Sequence, residues 1–215
     1  MIDISGRTTT TYKAGEFAGF LRNKDHFGGF SNMHQGFPFS IGIIDVDSTE
    51  SLYQALRYPL HPDHQRYVLA ANFSLGAKRR AYEEHLIKDT TPGWVTDGVN
   101  VQAMHVCLWL KLISYKKTIY GLFESANNLP IVELSYRDDF WGAKPLGSAF
   151  GSDVIGRNIL GFLWHDVIEK SKGMDENSWL PYVAGLSSGL MLFDKPLSEL
   201  IYLTKPPASS NLELF

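Results

Sequence analysis

Cysteine is all but missing: the 215 residues contain one, Cys107. A single thiol excludes an internal disulfide framework and a cysteine-based zinc finger, and makes a reducing, cytoplasmic compartment the expectation. Long hydrophobic runs are missing as well. The most apolar stretch, around Met104 to Ile113, is broken by His105 and Lys111 and is too short to span a bilayer, so no membrane partner is expected. The N-terminal MIDISGRTTTTYKAGEF has no apolar segment of the signal-peptide kind. Nor is one sign of charge in excess. Lys plus Arg is 20 and Asp plus Glu is 23, a net charge of −3, which excludes a polyanion binder that works by charge alone. Any nucleic-acid role has to rest on a local site. There is no G-x-S-x-G, no P-loop and no H-E-x-x-H. His61 and His64 stand three apart beside Asp63, but no second pair accompanies them, so neither a structural metal nor a cofactor is expected.

What is present is an ordinary globular composition, 44% hydrophobic and 20% charged. The glycine-rich FGGFSNMHQGF, residues 27–37, is the first break. PFSIGIIDVD suits one short strand. Ser48 and Thr49 are N-cap candidates for a helix running through Tyr58 and stopped by Pro59. HPDHQRYVLAA reads as a second helix with Pro62 in its first turn. Ser74 is placed to cap a third, LGAKRRAYEEHLI. Asp97 to Ser114 is the strongest helix, with Val101, Met104, Leu108 and Leu112 at helical spacing. PIVEL, 130–134, is a second short strand, and a further helix opens near Asn158. Beyond Gly173 the pattern is undecided, and the tail KPPASSNLELF is expected to be loose. Helices outnumber scattered strands, which predicts a mainly helical α+β fold rather than a βαβ repeat.

Several groups can carry chemistry. In TESLYQALRY, Glu50, Gln54 and Arg57 share one helix face, with Leu52 and Leu56 roughly opposite. That face is either a solvated one with a helix-capping acid, or a carboxylate and an arginine lining a pocket for a phosphate-bearing ligand. In RDDFWGAKP, Asp138, Trp141 and Gly142 form an Asp-x-x-Trp-Gly turn. It suits a nucleobase stacked on Trp141 with Asp138 taking hydrogen bonds, or else it is a structural turn with a buried tryptophan. Gly29, Ser31 and Asn32 in the FGGFSN segment offer a backbone nest for an anion or a ribose, or an ordinary loop. Lys78, followed by Arg79 and Arg80, is either solvated, a nucleophilic amine that forms a Schiff base with an opened sugar, or a phosphate contact. Cys107 reads as an inert core thiol.

The order of these pieces is more specific than any one of them. FSN, then TE-x-x-YQA, then GAK, then VEL-x-x-x-D-x-x-WG, then G-x-N-x-LG resembles the NADAR family, whose members include the bacterial YbiA proteins. The wording FGGFSNM, TESLYQALRYP and DDFWGAKP is most similar to members found beside DarT-type DNA ADP-ribosyltransferase toxins. The resemblance runs from about Phe27 to Lys170. It implies a mostly helical α+β domain over 27–172, with an extension at 1–26 and another at 173–215. It implies N-glycoside hydrolase activity: removal of ADP-ribose from the guanine amino group in DNA, as an antitoxin whose partner is the cognate toxin. The alternatives are a glycosidase of ribosylamino-pyrimidine intermediates of riboflavin synthesis, a non-catalytic ADP-ribose-binding module, and an antitoxin that only binds its toxin. Matched by motif, the catalytic set is Glu50, Lys78 and Asp138. The substrate-binding set is Gly29, Ser31, Asn32, Gln54, Arg57, Trp141, Gly142 and Asn158. Arg57 stands where many members have lysine, and Trp164 and Val167 stand where many have a methionine and an arginine.

Overall fold

The structure, a computed structural model, describes residues 2–147 and 151–203. In chain order the first elements are β1 (Thr10–Tyr12), β2 (Ala18–Phe20), a 3-10 turn (Gly28–Phe30), β3 (Phe39–Ile41), β4 (Ile44–Val46), α1 (Thr49–Ala55), α2 (Pro62–Leu69), α3 (Ser74–Ala81) and α4 (Glu84–Ile87). Then come α5 (Val99–Ser114), α6 (Lys116–Ser125), β5 (Ile131–Glu133), β6 (Lys144–Pro145), β7 (Val154–Gly156), α7 (Ile159–Lys172), α8 (Trp179–Leu186), β8 (Met191–Leu192), β9 (Lys195–Pro196) and α9 (Leu197–Tyr202). The fold is mainly helical α+β. No helix among the described residues is long and apolar enough to cross a membrane. The expected loose tail lies outside the described residues.

The elements divide into two units. One takes the chain up to His34 together with Lys116–Glu176, and the other takes Gln35–Tyr115 together with the chain from Asn177. In the first unit β1, β7 and β6 form an antiparallel sheet, and β2 pairs in parallel with β5. The segment ahead of Phe27 therefore supplies two strands. Val132, Ala143 and Val154 form the buried centre, with Tyr12, Phe17 and Leu134 packed against it. α7 lies on β5. The contact is so close that a Cβ on Gly161 would sit 2.0 Å from the Ile131 carbonyl oxygen. Backbone cannot yield as a side chain does, so Gly161→Ala should cost about 3 kcal/mol or more, at the upper end of overpacking penalties. Chemical denaturation measures this, and a wild-type midpoint for the variant would contradict the packing.

In the second unit α1 is the hub, packed on α2, α3 and α5. Ser48 caps it as expected, its Oγ accepting from the Ser51 N–H at 3.2 Å. α5 also packs on α8, where Trp109 meets the Trp179 ring edge-on at 6.2 Å. Four expectations change. The single strand over PFSIGIIDVD is a hairpin, because Gly42 takes φ +61 in a two-residue loop and leaves Ile43 98% exposed. α1 ends at Ala55 rather than Tyr58. Ser74 is the first residue of α3, not its cap, which is Phe73. The helix expected through Ile87 is broken at Tyr82–Glu83 into α3 and α4.

Candidate functional site

Glu50 and Gln54 on α1, and Arg57 two residues past its end rather than on the helix, are not solvated. The three residues are 2%, 1% and 4% exposed. Burying a carboxylate and a guanidinium is costly unless each is held by polar or aromatic neighbours, and the second unit supplies them. The Gln54 amide donates to Glu50 Oε1 at 2.9 Å, one helical turn apart. The carboxylate lies in the first turn of α1, where backbone N–H groups favour negative charge. Its charge reaches two further groups. Burial first, and the Glu50 charge second, push the Tyr53 hydroxyl and the Cys107 thiol well above their ordinary ranges. Cys107 is therefore a protonated core thiol, as its place in α5 suggested.

Arg57 sits in an aromatic cage. Its Nη2 donates to the Tyr82 hydroxyl at 2.9 Å. Its Cζ lies 4.3 Å from the Tyr82 ring centre and 5.5 Å from that of Trp94. Trp94 in turn packs on Tyr53 at 5.3 Å. Arg57 Nε and Gln54 Oε1 make no hydrogen bond among the described residues. A buried guanidinium N–H and a buried amide oxygen beside a carboxylate form a polar set with capacity left for a ligand. Tyr82 is 52% exposed while Arg57 beneath its ring is 4% exposed, so this ring stands between the guanidinium and solvent. Tyr82 and Trp94 were not read from the sequence. They lie 25 and 37 positions beyond Arg57, and no local pattern ties them to it.

Lys78 is exposed on α3. The lysine that the described residues bury completely is Lys111 on α5, 0% exposed, with its ammonium position 4.2 Å from the Phe37 ring centre. Burial pushes its amine down to about 7. The sequence signal was a lysine inside an apolar helix, read only as an argument against a membrane span.

The remaining expected residues are in the first unit. Asp138 Oδ1 accepts the N–H groups of Phe140 and Trp141, each at 2.9 Å, so this carboxylate oxygen closes its own turn. Trp141 is half-buried, with Phe140 edge-on at 5.2 Å. Gly142 is buried, and its carbonyl accepts the Asn158 N–H at 3.1 Å. Asn158 takes φ 49 ahead of α7. Its side chain donates to the Ile131 carbonyl at 2.7 Å and accepts from the Glu133 N–H at 3.2 Å. These two bonds tie the start of α7 to β5. Gly29 belongs to the buried 3-10 turn, and the Ser31 hydroxyl accepts the Met33 N–H at 3.2 Å, with Asn32 half-buried beside it. Trp164 holds that turn in place, its indole N–H donating to the Phe30 carbonyl at 2.8 Å, while Val167 is fully buried. A cavity of about 320 Å³ in this unit is lined by Arg7, Tyr12, Phe162 and His165, among others, and by one expected residue, Asn158.

Among solved structures, the chain is similar to the E. coli protein YbiA, determined by NMR, with a TM-score of 0.60 and 20% sequence identity. The match covers 75% of this chain and 88% of that one. The chain thus has a YbiA-like fold. No protein-family model matches it, and no curated protein does.

Proposed function

We propose that this protein is a NADAR-family N-glycoside hydrolase that removes ADP-ribose from the exocyclic amino group of guanine in DNA, and so acts as the antitoxin to a DarT-type ADP-ribosyltransferase. The observation that carries this reading is Glu50: a carboxylate 2% exposed, held by Gln54, on the helix that leads into the buried Arg57. The YbiA-like fold and the run of motifs from FGGFSN to GRNILG support the family. Glu50, as carboxylate, takes a proton from the attacking water and passes it to the leaving guanine nitrogen. Water oxygen bonds to the anomeric carbon as the carbon–nitrogen bond breaks, giving ADP-ribose and unmodified guanine. Arg57, caged by Tyr82 and Trp94, presents N–H donors to the pyrophosphate.

Lys78 takes the simpler of two roles. The covalent route needs a desolvated amine that attacks an opened glycosylamine, whereas Lys78 lies on an exposed surface of α3. We assign it a phosphate contact. Borohydride added during turnover should trap no adduct, and Lys78→Arg should keep near-normal kcat. A trapped ADP-ribosyl adduct lost in Lys78→Ala would reverse the assignment. Asp138 shapes the loop that presents Trp141. Trp141→Ala should weaken ligand affinity by ~1–3 kcal/mol, the worth of one base stacked on an aromatic ring. Unchanged affinity with a lowered melting temperature would make Trp141 a packing residue.

The antitoxin role is tested by co-expression with an active DNA guanine ADP-ribosyltransferase. Wild type should restore growth and Glu50→Gln should not. Rescue by the variant would mean that the protein neutralises the toxin by binding it.

A further inference from the structure

The sequence pattern His61-Pro62-Asp63-His64 offers two imidazoles and an adjacent acid, but the structure replaces that acid with another. Asp63 is turned outward, its side chain 93% exposed and paired with Arg66 at 2.8 Å. The carboxylate facing the histidines is Asp89, just past α4. Its Oδ2 lies 2.9 Å from His64 Nε2, and the side chains are 28% and 23% exposed. His61, the N-cap residue of α2, stacks its ring on that of His64 with centres 4.9 Å apart and planes 12° from parallel. One potential ligand atom from each of the three lies within 4.8 Å of the other two. His64 is held from behind by Tyr58, edge-on at 5.6 Å, whose hydroxyl donates to the Ala81 carbonyl. Asp89 is held by its own N–H to the Leu86 carbonyl at 2.9 Å.

We propose that His61, His64 and Asp89 form a site for a divalent transition metal, Zn²⁺ in preference to Mg²⁺ or Ca²⁺. Two imidazoles and one carboxylate are a donor set for borderline ions, whereas Mg²⁺ and Ca²⁺ take oxygen donors. Zinc–nitrogen and zinc–oxygen bonds are ~2.0–2.2 Å, so neighbouring ligand atoms of a tetrahedral site stand about 3.3–3.6 Å apart. The His64–Asp89 pair, at 2.9 Å, opens by roughly 0.5 Å to reach that spacing. A swing of the half-buried His61 ring by roughly 1–1.5 Å completes the set, and a water fills the fourth position. Bound metal would fasten the start of α2 to the segment after α4. That segment also meets the loop after α1, because the Thr91 N–H donates to the Arg57 carbonyl at 3.0 Å. The role is to brace the second unit, and the hydrolysis proposed above does not pass through it.

The test uses the untagged full-length chain, stripped with chelator and titrated with ZnCl₂ and then CoCl₂. One equivalent should bind, the melting temperature should climb with Zn²⁺ but not with Mg²⁺, and Co²⁺ should give the intense visible bands of a four- or five-coordinate site. Second-sphere losses alone cost metal sites about 10–100-fold in affinity, so Asp89→Asn and His64→Ala should each lose ~100-fold or more. His61→Ala leaves the His64–Asp89 bond in place and should fold normally, yet it should weaken Zn²⁺ at least ~10-fold and shift the Co²⁺ spectrum. Absence of stoichiometric binding, or a His61→Ala protein that binds Zn²⁺ as wild type does, would overturn the proposal.

Discussion

Glu50→Gln should lower hydrolysis of ADP-ribosylated guanine by roughly 10²- to 10⁴-fold, the usual worth of a positioned general acid–base group. The amide has the shape of the acid and can still accept the Gln54 amide proton at the position of Oε1. What it loses is proton transfer. The isosteric amide keeps the shape and the Gln54 bond, so the protein should stay folded, and its melting temperature is measured alongside. Loss of activity with retained stability separates a chemical role from a structural one. Wild-type turnover by the variant would remove Glu50 from the mechanism.

Between pH 7 and pH 9 the protein should become more stable as pH rises. Lys111 is fully buried, and burial lowers its amine from 10.5 to about 7. In that window the unfolded chain holds a proton that the folded chain has given up, so each pH unit adds up to about 1.4 kcal/mol. Over the window the gain is about 2 kcal/mol, and below pH 7 it is absent. Other shifted groups act below the window or at its upper end. His165, lowered by burial from 6.5, acts below it. The Cys107 thiol, raised well above 9.0, begins to oppose the gain near pH 9, where the unfolded thiol ionises, and the Tyr53 hydroxyl, raised from 10.0, does so at higher pH. Chemical denaturation at pH 7, 8 and 9 measures the slope, and Lys111→Met should flatten it. A flat wild-type profile would mean that the amine keeps its proton in the fold.

The sequence made α1 and its polar face legible, because Ser48 is a local cap and Glu50, Gln54 and Arg57 recur at helical spacing. It left open whether that face met water. Burial comes from α3 and α5, which pack on α1 from distant parts of the chain, and periodicity within one helix carries no trace of them. The cage around Arg57 was hidden for the same reason. The β2–β5 pairing joins Ala18–Phe20 to Ile131–Glu133, strands of three residues that are too short to show alternation. The α3–α4 break at Tyr82–Glu83 has neither glycine nor proline to mark it. It matters, because it leaves Tyr82 where its ring can lie over Arg57. The His61–His64 pair was visible, but its facing carboxylate was not, since Asp89 lies 25 residues from His64. In the D-x-x-W-G motif, Asp138 accepts two backbone N–H groups of its own loop, a local pattern that the motif itself carries.

The central claim is that a buried carboxylate on α1 drives cleavage of a guanine N-glycosidic bond. Mass spectrometry of a DNA oligonucleotide carrying one ADP-ribosylated guanine, incubated with wild type and with Glu50→Gln in parallel, tests it most directly. The prediction is loss of the ADP-ribosyl mass with wild type, appearance of free ADP-ribose in equal amount, and an unchanged oligonucleotide with the variant. An oligonucleotide left intact by folded wild type, or cleared equally by both proteins, would contradict it.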